Sequence, residues 1–393
     1  MIKAPLILAV FIFSFGLFSF KAYAEELSLK EPDTQSESAV LIDAKSGQIL
    51  YSKDSDAIMY PASVTKMATA IYAIEKGNME DIVTISKNAR SVDGTRVYLE
   101  EGEQVPLKKL IQGLMINSGN DAGVAIAEHI SGDTESFSAE MTAFLKSKVG
   151  LLHTNFTNPH GLFDPEHVTT AEDLAKLTQY ASQNELFREI FSTEELKWDG
   201  ETWDTTLHNH HKLLKVTPYD GMVGGKNGYV SESGFTLSTL AERENISLIA
   251  VVLNAKTDRI SYKDTVKLLD YGFNHFTSEF IAEDTAFEDQ SGQEFTLSEP
   301  LYYAKKINES ISADVDLDGM LAVEGEDGRE IASHKLKPVI ADAGNVIMKG
   351  TVSDVQPSLG RSILHDHLKF IVMSSFAVVL LLVGYFFRQV RRL

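Results

Sequence analysis

Strand-like runs stand at both ends of the stretch 39–276, and helical runs fill its middle. Ala39-Val40-Leu41-Ile42 reads as a buried strand, Asp43 to Gly47 as a turn, and Gln48-Ile49-Leu50-Tyr51 as the returning strand of a hairpin. Far along the chain, residues 235–241 and 247–253 read as strands around the charged turn Glu242-Arg243-Glu244-Asn245. Strands joined by such short turns pair antiparallel. Gly221 to Val230, just before them, reads as a glycine-rich strand edge, and residues 266–276 as a closing helix. Chain that leaves the first hairpin therefore returns to the same sheet. This predicts an α/β domain over 39–276: an antiparallel sheet flanked by helices, with a helical subdomain inserted.

The inserted middle has its own punctuation. Residues 82–85 and 97–99 are short strand-like pieces. A helix is predicted from Leu107 to about Met115, a tight link at Asn117-Ser118-Gly119-Asn120, and a second helix from Asp121 to Ile130. Thr170-Ala171-Glu172-Asp173 reads as the N-cap of a helix running to Ala181. From residue 277 the pattern changes to short alternating strands with many acids, which predicts a small β-rich domain over 277–351.

The ends carry targeting signals. Residues 1–24 combine an early lysine, an apolar run from Leu6 to Phe20 and the small-x-small triplet Ala22-Tyr23-Ala24, as a secretory signal peptide does. Residues 25–38 read as a loose, acidic leader. After a linker at 352–369, residues 370–387 hold no charge and are long enough to cross a bilayer. The arginine-rich tail 388–393 predicts a cytoplasmic C-terminus, with the body on the extracytoplasmic face of the cell membrane. A net charge of -20 argues against nucleic acid as a partner. The absence of cysteine excludes a thiolate nucleophile and thiolate metal sites.

Pro61-Ala62-Ser63-Val64-Thr65-Lys66 carries the chemistry. It opens an apolar helical run, and residues three apart share a helix face, so the Ser63 hydroxyl and the Lys66 amine can meet. A hydroxyl beside an amine that burial can neutralise is a nucleophile with its own base. No other serine in the sequence has a lysine three residues on. Ser118-Gly119-Asn120 follows Ser63 after 55 residues, and Lys226-Asn227-Gly228 follows Ser118 after 108. The bare Ser-x-Asn triplet recurs at Ser86 and Ser182, and Lys45-Ser46-Gly47 is a second Lys-x-Gly, so order and placement give the set its weight. Lys45 lies in a hairpin turn before the nucleophile. His208-x-His210-His211 lacks the spacing of ligands on a helix face and reads as a solvated polar loop, so no metal and no cofactor is expected.

The ordered set resembles the S-x-x-K, S-x-N and K-T-G signatures of the penicillin-binding-protein and serine β-lactamase superfamily. The context of Pro61 to Thr69, Asn117 to Ile130, Asn155 to Leu162 and Ser231 to Gly234 resembles, more narrowly, the low-molecular-mass D-alanyl-D-alanine carboxypeptidases. The resemblance covers roughly 39–276 and implies a β-lactamase/transpeptidase-like domain. It implies a peptidoglycan stem peptide ending in D-Ala-D-Ala as substrate, and covalent capture by β-lactam antibiotics. It also implies roles: Ser63 as nucleophile, Lys66 as base, Ser118 as proton relay and Asn120 as a peptide-binding amide. Lys226 and Gly228 would belong to the substrate-binding strand. The backbone N–H of Tyr229 would join that of Ser63 in an oxyanion hole, and Arg259 would clamp the terminal carboxylate. Asn227 departs from the family, which has Thr or Ser there. Two alternatives stand beside this reading. A serine β-lactamase would need a carboxylate such as Glu166 to activate water. A non-catalytic peptidoglycan-binding scaffold would need none of the chemistry.

Overall fold

A computed structural model of the chain describes residues 30–339. The expected signal peptide, the first leader residues, the end of the β-rich region, the linker, the apolar run 370–387 and the tail lie outside the described residues.

The domain is built on a five-stranded antiparallel sheet. Its strands are β1 (Ser38–Asp43), β2 (Ile49–Lys53), β7 (Met222–Val230), β8 (Gly234–Arg243) and β9 (Ile246–Ala255), in the order β2-β1-β9-β8-β7. The two ends of the stretch meet where β1 pairs with β9, with Val40 opposite Val251. Both central strands are buried on both faces, which accounts for their nearly unbroken apolar runs. Alternation along β9 sends Ile249, Val251 and Leu253 into one core and Leu248, Ala250 and Val252 into another.

The first core is shared with the inserted helices: α1 (Lys66–Lys76), α2 (Lys87–Ser91), α3 (Leu107–Ile116), α4 (Asn120–Ser131), α5 (Thr134–Val149), α6 (Ala171–Ser182) and α7 (Glu185–Phe191). The second is closed by α8 (Asp258–His275), whose Leu268 and Leu269 are fully buried. Thr170 caps α6 as expected, accepting from the Asp173 N–H at 3.1 Å. Short strands β3 (Ile82–Thr84) and β4 (Gln104–Pro106) pair with each other.

Four local expectations need correction. Residues 97–99 form no strand, because the buried carboxylate of Asp121 takes their backbone donors instead. A hairpin of β5 (Glu195–Asp199) and β6 (Asp204–His208) stands where the sequence named no element; it buries Trp198 and Leu207. Helix α8 starts at Asp258 rather than residue 266, with Thr257 as its N-cap. The leader is not loose through residues 35–38. The Gln35 N–H, Ser36 N–H and Ser36 hydroxyl all donate to Asp264 Oδ2 at 2.7–2.8 Å, and Ser36 and Ser38 are buried.

Beyond α8 the chain is all strand, from Phe276–Ile281 to Lys337–Pro338, around a separate core that includes Phe295, Leu297, Leu321 and Val323. It meets the first hairpin through Ala304 N–H donating to Gln48 Oε1 at 2.9 Å and the Ser278 hydroxyl to Asp43 Oδ1 at 2.7 Å.

Candidate active site

Ser63 sits in a single 3-10 turn, Ala62–Thr65, that runs directly into α1. The turn begins from strain: Ala62 has φ +48°, a left-handed conformation that costs a non-glycine residue on the order of 1–2 kcal/mol. The surroundings hold it there. The Thr65 hydroxyl donates to Ala62 O at 2.8 Å, and the Thr236 hydroxyl of β8 donates to Pro61 O at 2.9 Å. Behind Thr65 lies His167. Its Nδ1 accepts from the Thr157 N–H at 3.0 Å, which leaves the ring proton on Nε2, 2.8 Å from Thr65 Oγ1. The relay from His167 through Thr65 thus ends on the peptide that precedes the nucleophile.

Lys66 is fully buried, with Nζ 2.9 Å from Ser63 Oγ, and it donates to His160 O at 2.7 Å. Burial, and then the cation of Lys226, hold its pKa well below the ordinary lysine value; the Asp121 carboxylate opposes the shift. A neutral amine that donates to His160 O keeps its lone pair for the Ser63 proton. Lys226 is also buried, and burial lowers it to about 7. Two buried amines this close do not both hold a proton readily. The cation of Lys226 adds to burial in lowering Lys66, so Lys66 is the one held neutral.

The second serine reaches the site through backbone geometry. Ser118, at φ +60° on the link between α3 and α4, lies 3.1 Å from Lys226 Nζ, which also donates to Asn227 O at 2.9 Å. Asn120 opens α4 and donates its side-chain amide to Asp93 O at 2.6 Å, while its N–H donates to Thr95 O at 2.7 Å. Asp121 clamps the same segment, accepting from Val97 N–H at 3.0 Å and Leu99 N–H at 3.2 Å.

Strand β7 forms the facing wall. A side chain at Gly228 would place its Cβ 2.6 Å from Ser63 N, so only glycine lets β7 pass this close to the nucleophile's N–H. Tyr229 follows, exposed and packed on Phe235 at 4.5 Å. Ser63, Ser118, Asn227, Gly228 and Tyr229 therefore line one cleft of about 270 Å³. Arg259 is exposed on α8 and is not among the lining residues; its neighbours Asp258 and Ser261 are. Glu166 is exposed and outside the lining as well. Sequence reading missed Asp121, which follows Asn120 directly, the buried His167, and His210. His211 is buried with Nε2 2.8 Å from Thr239 Oγ1, and His210 lines the cleft, so this pair is not simply a solvated loop.

Comparison with known proteins agrees with this geometry. The chain matches the D-alanyl-D-alanine carboxypeptidase family, peptidase S11, over residues 25–257. It is 32% identical to D-alanyl-D-alanine carboxypeptidase DacF of Bacillus subtilis over 323 residues, 77% of this chain and 82% of the relative. It is 33% identical to DacC of Escherichia coli over 287 residues, 70% of each chain. Among solved structures, penicillin binding protein 5 of Haemophilus influenzae superposes with a TM-score of 0.70 at 27% identity, covering 79% of this chain and 98% of that one.

Proposed function

The chain belongs to the D-alanyl-D-alanine carboxypeptidase family, and from that premise we propose how its own residues carry the reaction. The protein is a serine-type D-alanyl-D-alanine carboxypeptidase, a hydrolase that removes the terminal D-alanine from peptidoglycan stem peptides through an acyl-enzyme. Ser63 Oγ attacks the carbonyl of the D-Ala–D-Ala bond and passes its proton to neutral Lys66. The N–H groups of Ser63 and Tyr229 receive the oxyanion. The proton reaches the leaving amine through Ser118, beside Lys226, and free D-alanine departs. Asn120, buried at the start of α4 two residues from Ser118 and outside the cleft lining, is assigned the peptide by its place in the motif. Water then cleaves the Ser63 ester and releases the shortened stem peptide.

The observation that carries this assignment is the 2.9 Å separation of Lys66 Nζ from Ser63 Oγ, with the amine buried and depressed. A fluorescent penicillin tests it, together with D-alanine released from a muropeptide. Wild-type protein should be labelled stably and should release D-alanine, and Ser63→Ala should do neither. Labelling that persists in Ser63→Ala would remove Ser63 from the role.

The residues beyond α8 act as a β-rich second domain over 277–351. The uncharged run 370–387, flanked by arginines, tethers the protein to the cell membrane, with the catalytic domain on the extracytoplasmic face. The residue pattern at the two ends of the chain supports this placement. Among the described residues no helix is long and apolar enough to cross a membrane. Protease shaving of intact cells, followed by detection of the two ends, tests the orientation.

A further inference from the structure

The tip of the β5–β6 hairpin is docked against the segment that leads toward the Ser118–Asn120 link, and the contact presents aromatic rings to solvent. Trp198 is buried against α3, where a Cβ at Gly113 would fall 3.0 Å from its ring. At the turn, the Glu201 N–H donates to Glu103 Oε1 at 3.3 Å, and the Thr202 hydroxyl to Glu100 Oε1 at 3.3 Å. Trp203, the next residue, meets Tyr98 in a T-shaped pair with ring centroids 4.8 Å apart. The Arg96 guanidinium stands 5.4 Å from the Tyr98 centroid. With both neighbours in place, Tyr98 is still 51% exposed.

This exposure is enforced by the backbone. Tyr98 has φ +57°, a left-handed conformation that a bulky side chain rarely adopts. The buried Asp121 carboxylate accepts from the Val97 N–H at 3.0 Å and from the Leu99 N–H at 3.2 Å. Val97 and Leu99 therefore turn into the core, and the ring between them turns out. Asp121 follows Asn120, whose N–H donates to Thr95 O at 2.7 Å, and Thr95 lines the catalytic cleft. Strain of this kind persists where the surroundings over-determine it, and it gathers at ligand clamps. One carboxylate thus fixes the second serine's link and the aromatic step in a single frame.

Reach and chemistry identify the occupant. Tyr98 is three residues from Thr95, at most about 11 Å of chain from the cleft. The stem peptide is joined at its far end to an N-acetylated sugar of the glycan strand, and a few residues of about 3.5 Å each separate that sugar from the scissile bond. A pyranose carries C–H groups on its faces and oxygens on its rim. The negative face of an aromatic ring suits the first, and guanidinium N–H donors suit the second.

We propose that Tyr98, Trp203 and Arg96 form a sugar subsite that holds the glycan end of the substrate while its peptide lies in the catalytic cleft. The assignment rests on the carboxypeptidase reading above. It is tested by kcat/KM for D-alanine release from a disaccharide muropeptide and from the same stem peptide without sugar. Wild-type protein should prefer the muropeptide. Tyr98→Asn, which removes the ring and tolerates the left-handed backbone, should lower that preference about three- to tenfold, through KM for the muropeptide. Tyr98→Phe, which keeps the ring, should keep the preference. Fluorescence gives a second measurement, because the chain has two tryptophans and Trp198 is buried. In Ser63→Ala protein the emission should change on titration with the muropeptide and not with the free peptide, and Trp203→Phe in that background should abolish the change.

Equal kcat/KM for the two substrates in wild-type protein, a preference that survives Tyr98→Asn or is lost in Tyr98→Phe, an equal fall for both substrates, or a fluorescence that does not respond to the muropeptide would each overturn the sugar subsite. Wild-type protein that releases no D-alanine from either substrate and takes no penicillin would overturn the carboxypeptidase reading instead.

Discussion

Replacing Gly228 by alanine tests the wall that faces the nucleophile. The added Cβ would lie 2.6 Å from Ser63 N, 2.7 Å from Thr236 Oγ1 and 3.0 Å from Ala62 Cβ. None of these can yield easily. Thr236 is buried and bonded to Pro61 O, and the Ala62–Ser63 peptide is held by the Thr65 hydroxyl. β7 is an edge strand, paired only with β8, so it is the part that moves. Restoring ordinary contact needs a shift of about 0.8 Å at Gly228. That displaces the Tyr229 N–H from the oxyanion. Loss of one such donor costs about 10²- to 10³-fold, or about 3–4 kcal/mol of transition-state stabilisation. Overpacking of this kind costs about 1–3 kcal/mol of stability. The assay is the second-order rate of acylation by a fluorescent penicillin, with thermal melting alongside. Ile249→Val, in the buried strand β9, is the control: it should cost about 1 kcal/mol in stability and leave acylation unchanged. If Gly228→Ala is acylated within about threefold of wild type, with a wild-type melting curve, the close approach of β7 to Ser63 has no part in catalysis, contrary to the 10²-fold loss expected for a lost donor.

Three further outcomes follow. Lys66→Ala should reduce acylation by at least about 10²-fold while the protein stays folded, because the serine loses its base; wild-type labelling in that variant would remove Lys66 from the role. The imidazoles of His160, His167 and His211 are held by burial at about 3, 4 and 3. These lie below the unfolded value, so the unfolded chain binds more protons, and stability should fall as pH drops from about 6.5 toward 4, by up to about 1.4 kcal/mol per pH unit for each ring. His167→Gln should flatten the melting profile over that window, and an identical slope in variant and wild type would exclude the ring as a contributor. Asn227→Thr restores the hydroxyl found in the family and should keep or raise D-alanine release; a clear loss would show that the cleft is tuned to the amide.

What the sequence made legible was local. The Ser63–Lys66 spacing survives the replacement of an α-helical first turn by a 3-10 turn, because three residues bring the two groups together in either. Thr170 and Asp173 announced their cap for the same reason. The hairpin at 195–208 escaped because β5 alternates single apolar residues with charges and β6 holds one apolar residue, Leu207, so that only Trp198 and Leu207 are fully buried. The start of α8 escaped because its first turn, Asp258 to Ser261, is polar on the side that meets the cleft. The anchoring of Ser36 depends on Asp264, more than two hundred residues away, and no periodicity reports such a pair.

The same distinction explains where the site itself could be read. Motif order placed Ser118 and Lys226 in the right company, yet their 3.1 Å contact exists only because a left-handed link and a buried strand meet across the cleft. His210 illustrates the converse. In sequence it is one histidine in a polar run; in the fold, its neighbour's ring lies over Gly225 and turns that run against β7. The glycine-rich texture of residues 224–228 thus has a cause more specific than strand flexibility. At Gly225 the absent side chain admits His211, and at Gly228 it admits the N–H of Ser63, so two positions three residues apart on one strand receive the 209–212 segment and the nucleophile. A substitution at either glycine should therefore disturb a different part of the wall: the packing of buried His211 at Gly225, and acylation at Gly228.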